Sequence, residues 1–187
     1  RNYNTQINLN PVGLLGQSYG AYTSLAVSGA EINYDRVAEQ CEMQDLATVL
    51  NFSVLLQCWL LRLTLEDYKF DDPRIKAVFA ITPSTSRLFG KEGIQGIDIP
   101  TLLVTSSADT ATPALPEQIR PFTWLDSSQK YLVLLKRGTH FSTLAEGTEE
   151  GIPLPEEAIG PEPAIAQNYI RALSIAFFKT HLANEIT

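Results

Sequence analysis

The chain has 187 residues, 44% of them hydrophobic, and 14 Lys and Arg against 21 Asp and Glu leave a formal charge of −7. This suits one globular domain, with a core that buries roughly 70% of the unfolded surface. The acidic balance argues against a nucleic-acid groove, and no apolar stretch reaches the ~20 residues of a membrane span. The chain opens Arg1-Asn2-Tyr3-Asn4 with no basic, apolar leader.

Four short apolar runs occur in order: Val12–Leu15, Ile75–Ile81, Ile99–Thr105 and Lys130–Leu135. Each is bounded by Gly, Pro or polar residues and mostly lacks alternation. That is how strands covered on both faces of a parallel sheet read. Helical patterns lie between them, so the expected class is α/β with about four parallel strands and flanking helices. The first run is followed by a small-residue helical segment, Ala21–Ala30. Glu31–Phe70 is longer than a crossover needs and reads as a helical insertion or cap. Within it Leu50–Leu63 is almost continuously apolar, and a helix apolar nearly all round is expected to be buried. Glu146–Pro163, rich in Glu, Pro and Gly, reads as a loop. The last helix starts near Pro163 and Ala164, with Ala166, Tyr169, Ile170, Leu173, Ala176 and Phe177 in one stripe. No repeat or linker divides the chain, so a single domain over residues 1–187 is the economical reading.

Gly16-Gln17-Ser18-Tyr19-Gly20 is a G-x-S-x-G pattern between the first strand and the first helix. Strand, sharp turn and helix are the setting of a nucleophile elbow. The turn strains the serine backbone, and Cβ atoms at Gly16 and Gly20 are expected to collide with neighbouring elements. A phosphate-binding glycine turn is the competing reading, but G-x-G-x-x-G is absent. A serine hydroxyl needs a base, and the chain has only two histidines. His181 lies in the last helix and reads as exposed or favoured by the helix dipole. His140, in Gly138-Thr139-His140-Phe141-Ser142, follows the fourth strand, where open α/β sheets build their sites.

The base needs a carboxylate to orient it. Asp109 follows the third strand. Asp98 precedes that strand and belongs to the wrong end of the sheet, and Thr82-Pro83-Ser84-Thr85-Ser86 after the second strand holds no carboxylate. The order Ser18, Asp109, His140 is that of α/β-hydrolases. Tyr19, next to the nucleophile, supplies one backbone N–H to the oxyanion. The second donor normally comes from a loop after an earlier strand, which the residues before Ser18 are too few to contain. The expectation is therefore the C-terminal part of an α/β-hydrolase domain. Its N-terminal strands would lie upstream or in a complementing chain, and a piece expressed alone would be poorly soluble and nearly inactive. No metal or cofactor is called for. Cys41 and Cys58 fit no zinc pattern; a disulfide and two buried thiols are both open.

Several stretches carry a family resemblance: Ser18-Tyr19-Gly20-Ala21-Tyr22, Asp71 to Val78, Leu88-Phe89-Gly90, Ile99 to Val104 and Gly138 to Ser142. Together they resemble dienelactone-hydrolase-like and platelet-activating-factor-acetylhydrolase-like α/β-hydrolases, most of all a cyanobacterial group of hydrolases of unknown function. The resemblance implies a serine hydrolase of carboxylic esters, with lipid-like or small acyl esters as the substrate class. It also implies a periplasmic or secreted location, which favours a Cys41–Cys58 bridge. The chain departs from these families in having Gln17 where His is usual, and no acid after the second strand. A peptidase resembling prolyl oligopeptidases and a non-catalytic binding or assembly subunit are the alternative readings.

Overall fold

The computed structural model describes residues 9–42, 52–62, 70–144, 159–160 and 163–183. The first strand, β1 (Val12–Gln17), runs into helix α1 (Tyr19–Val27), and α2 (Tyr34–Glu42) follows. Helix α3 (Phe52–Cys58) continues into a 3-10 turn, Trp59–Arg62. Then come β2 (Ile75–Ile81), α4 (Gly90–Gln95) and β3 (Thr101–Ser106). A π-helical turn, Leu115–Ile119, leads into α5 (Arg120–Trp124), and β4 (Lys130–Leu135) and α6 (Pro163–Leu182) complete the order.

The four strands form one parallel sheet in chain order, β1-β2-β3-β4. The α/β class and the four strands thus match the sequence expectation. β2 and β4 begin and end where the apolar runs do, while β1 extends to Gln17 and β3 starts at Thr101.

Alternation along β2 feeds two separate cores. Val78 and Ala80 join Leu103 under α1, α2 and α4, where Ala21, Leu25, Val37, Phe89 and Ile94 are buried. Ala77, Phe79 and Ile81 face the other way, against Phe177 of α6. A strand buried on both faces has no polar position to spare, which is why its sequence shows no alternation of polarity. The α6 stripe is shifted round the helix from the expected one, taking in Phe178 and Leu182. Ala166, Ile170, Leu173, Phe177, Phe178 and Leu182 pack on the sheet, whereas Tyr169 is exposed on the flank.

His181 lies in the last turn of α6, as one of the two expectations had it, but is only partly exposed. Its ring lies 4.8 Å from that of Phe177 and 5.7 Å from that of Tyr131, and burial lowers its pKa.

The expected insertion is described only in part, since residues 43–51 and 63–69 lie outside the described residues. The part described corrects the expectation of an apolar helix buried all round. Trp59 is 61% exposed and Leu55 and Leu61 also face outward, while Gln57 is 2% exposed and Ser53 is fully buried. The inward face of α3 sets the polar Ser53 and Gln57 beside the buried Val54, while Leu55 lies outside. Cys41 of α2 and Cys58 of α3 form a disulfide, with Cα atoms 5.8 Å apart. Most of the expected loop Glu146–Pro163 lies outside the described residues.

Candidate active site

Ser18 sits between β1 and α1 with φ 54° and ψ −115°, a left-handed backbone that a residue with a Cβ rarely adopts. The ladder holds it there: Ser18 N–H donates to Ile81 O at 2.8 Å, and Tyr22 N–H donates to Ser18 O at 3.0 Å to begin the helix. A Cβ on Gly16 would lie 2.2 Å from the carbonyl oxygen of Gly20, so this position admits only glycine. The expectation for Gly20 fails. A Cβ there meets nothing within 4 Å, because the residue sits on the outer side of the turn. Only the first glycine is needed for space.

His140 Nε2 lies 3.0 Å from Ser18 Oγ, and Nδ1 lies 2.8 Å from Asp109 Oδ2. Sequence reasoning named these three residues, and the fold brings all three together at the C-terminal ends of β1, β3 and β4. Asp98 is exposed at the opposite end of β3, as expected. Both members of the His140–Asp109 pair are at least nine-tenths buried.

The carboxylate is saturated. Asp109 Oδ1 accepts from Ala111 N–H at 2.9 Å and Thr112 N–H at 2.7 Å, and Oδ2 accepts from Thr112 Oγ1 at 2.9 Å as well as from the imidazole. An acceptor-only carboxylate requires the proton on Nδ1, which leaves the Nε2 lone pair facing the Ser18 hydroxyl.

Two supporting residues had no sequence signal. Thr112 braces Asp109 and also reaches Thr82 O at 3.2 Å. Gln17, the departure from the usual His, donates from Nε2 to His140 O at 3.0 Å and ties the histidine loop to the elbow. An amide and a backbone carbonyl far apart in the chain carry no periodic pattern, so only the fold reveals the pair.

A cavity of about 210 Å³ opens beside the serine, lined among others by Tyr19, Leu56, Ala111, Thr112 and Phe141. Tyr19 is the first residue of α1, so its N–H has no intrahelical acceptor and is available at the elbow. Among the described residues no group of His, Cys, Asp and Glu is arranged to hold a metal ion.

No family model matches the chain. No curated protein matches it either. A solved structure of a monoacylglycerol lipase from Paleococcus ferrophilus is similar at 14% identity and TM-score 0.38, over 89% of this chain and 91% of that one. A likeness this distant carries no argument, and the α/β assignment rests on the sheet itself.

Proposed function

We propose that this chain is a serine hydrolase of the α/β-hydrolase type that cleaves carboxylic esters through an acyl-enzyme. The carrying observation is the unbroken line from Asp109 Oδ2 through His140 to Ser18 Oγ, with contacts of 2.8 and 3.0 Å. In this reading His140 Nε2 takes the Ser18 proton as Oγ attacks the ester carbonyl. Asp109 stabilises the imidazolium, and Tyr19 N–H donates to the oxyanion. Collapse breaks the bond to the alcohol, which leaves with the proton from His140. Water, deprotonated by the same nitrogen, then releases the acid and restores Ser18. No cofactor is required.

The apolar side chains of Leu56, Ala111 and Phe141 in the pocket wall support an acyl group as the bound portion. A cavity near 210 Å³ is small beside the several hundred Å³ of ordinary ligand pockets, which favours a short acyl chain. Helix α3 serves as part of a cap over this space.

The test is labelling with a fluorophosphonate and hydrolysis of short p-nitrophenyl esters, alongside peptide anilides. The expected result is a covalent adduct on Ser18 and ester turnover that falls by about 10⁶ in Ser18→Ala with the fold intact. Turnover that survives the substitution, or peptide cleavage without ester cleavage, overturns this reading.

A further inference from the structure

Ser53 of α3 and Ser84 of the loop after β2 both line the pocket beside Ser18, and both are more than nine-tenths buried. Their hydroxyl oxygens are 2.5 Å apart. The direction of this bond is fixed by what lies behind it. Gln57 Oε1 accepts from Arg87 N–H at 2.8 Å and Leu88 N–H at 3.0 Å. Its nitrogen therefore faces the other way, donating to Glu117 at 3.2 and 3.3 Å and to Ser53 Oγ at 3.1 Å. Turning the amide over would set its oxygen against a carboxylate and its NH₂ against two N–H donors.

Ser53 is thus an acceptor from Gln57, and its own proton needs a partner. Among the described residues that partner is Ser84 Oγ. The reverse arrangement would leave the Ser53 O–H with nothing to accept it, because Ser53 borders the pocket but is 0% exposed, whereas Ser84 keeps 6% of its surface open to it. With Ser53 donating, the proton of Ser84 remains unspent in a pocket wall. Its acceptor must come from the pocket.

We infer that Ser84 Oγ donates a hydrogen bond to the substrate, so that the site selects acyl groups carrying an ether, hydroxyl or keto oxygen over plain alkyl chains. The inference rests on the serine-esterase reading. Discrimination arises because an alkyl chain expels water from Ser84 and leaves its O–H without an acceptor, whereas an acceptor oxygen replaces the water. Glu117 anchors the polarity of the whole line. It accepts from Gln57, from Ser86 Oγ at 2.8 Å and from Thr85 and Ser86 N–H at 2.8 and 2.9 Å, and a carboxylate has no proton to give back.

The test compares isosteric p-nitrophenyl esters in which oxygen replaces one CH₂: methoxyacetate with butanoate, and methoxypropanoate with pentanoate. For each pair the ether-to-alkyl ratio of kcat/KM is divided by the same ratio for hydroxide-catalysed hydrolysis in solution, which removes intrinsic reactivity. In the wild type this quotient should exceed one by about tenfold for at least one pair, and it should collapse toward one in Ser84→Ala. Ser84→Cys, which keeps the volume and weakens the donor, should lower it as well. A wild-type quotient of one, or a quotient unchanged in a folded Ser84 variant, overturns the subsite and leaves the esterase reading standing. All four esters are tested on the full-length protein, and absence of Ser18-dependent turnover there overturns both.

Discussion

Ser18 holds φ at 54°, a strained backbone that costs on the order of 1–3 kcal/mol in a non-glycine residue. The strain is tolerated because the ladder bond to Ile81 O and the start of α1 over-determine the turn. This places unequal demands on the two elbow glycines. Gly16→Ala drives a methyl to 2.2 Å from the Gly20 carbonyl oxygen, and either the elbow opens or the strand shifts. A loss of about 3 kcal/mol or more, read by urea unfolding, is the expected outcome, together with loss of fluorophosphonate labelling. Gly20→Ala adds a methyl in open space at a helical position, and should leave stability unchanged or raise it by up to ~1 kcal/mol. Equal damage from both substitutions would contradict this account of the turn. Thr112 invites a second comparison. Its hydroxyl contributes one of the four bonds on Asp109, while the two backbone donors and the imidazole remain. Thr112→Val should therefore lower kcat about tenfold with little change in KM, and Thr112→Ser should restore it. A serine variant as slow as the valine variant would assign the effect to packing of the methyl group instead.

At the scale of elements, α2 and α3 are joined by the Cys41–Cys58 bridge, which closes a separation of 17 residues. A loop of about that length constrains the unfolded chain by roughly 3 kcal/mol. The Cys41→Ala/Cys58→Ala double variant should lose stability of that order in denaturant titration, while Ser18 still labels. A double variant as stable as the wild type would show that the bridge constrains nothing the fold does not already constrain. Sequence alone left this pair open, because spacing says nothing about the distance between two helices. The strands were legible for a physical reason: residues such as Ala77, Val78 and Phe79 are enclosed on both faces, so their polarity cannot vary. The positions of Ser18, Asp109 and His140 followed from those strand ends, since a parallel sheet collects its loops at one edge. In α3 apolar composition does not report burial. Gln57 and Ser53 turn inward because Glu117 and two backbone amides need them, and hydrogen-bond demand is set by partners distant in the chain. On α6 the expected stripe departs from the packed row at Tyr169, since each residue turns about 100° round the helix and Ile170 takes the sheet-facing place.

Across the whole molecule, Glu117 is the point where separate parts meet. It is fully buried, and no cation partners it among the described residues. Instead it draws on Gln57 from α3 and on Thr85 and Ser86 from the loop after β2, and its backbone oxygen accepts from Thr85 Oγ1. A buried carboxylate is stable only while these donors are in place, so the network joins α3, the loop after β2 and the π-helical turn. Glu117→Gln keeps the shape, and its NH₂ is best placed at the Oε1 position, where Ser86 Oγ can turn to accept it; the NH₂ groups of Gln57 and of the new amide are then set against each other. The global cost should be about 1–3 kcal/mol, the range for one buried unsatisfied group. More informative is where the loss falls. β2 and β3 are held by the ladder and two apolar cores, which the substitution does not touch. The bonds that α3 makes to the sheet loops run through Gln57 and Ser53. Hydrogen exchange should therefore show amides of α3 losing protection well beyond those of β2 and β3, as a segment that opens on its own. Substituting Gln57→Leu as well should add less than its separate effect, since both changes break one network. Equal loss of protection in α3 and the central strands would mean that the carboxylate supports the core as a whole and does not act chiefly on α3.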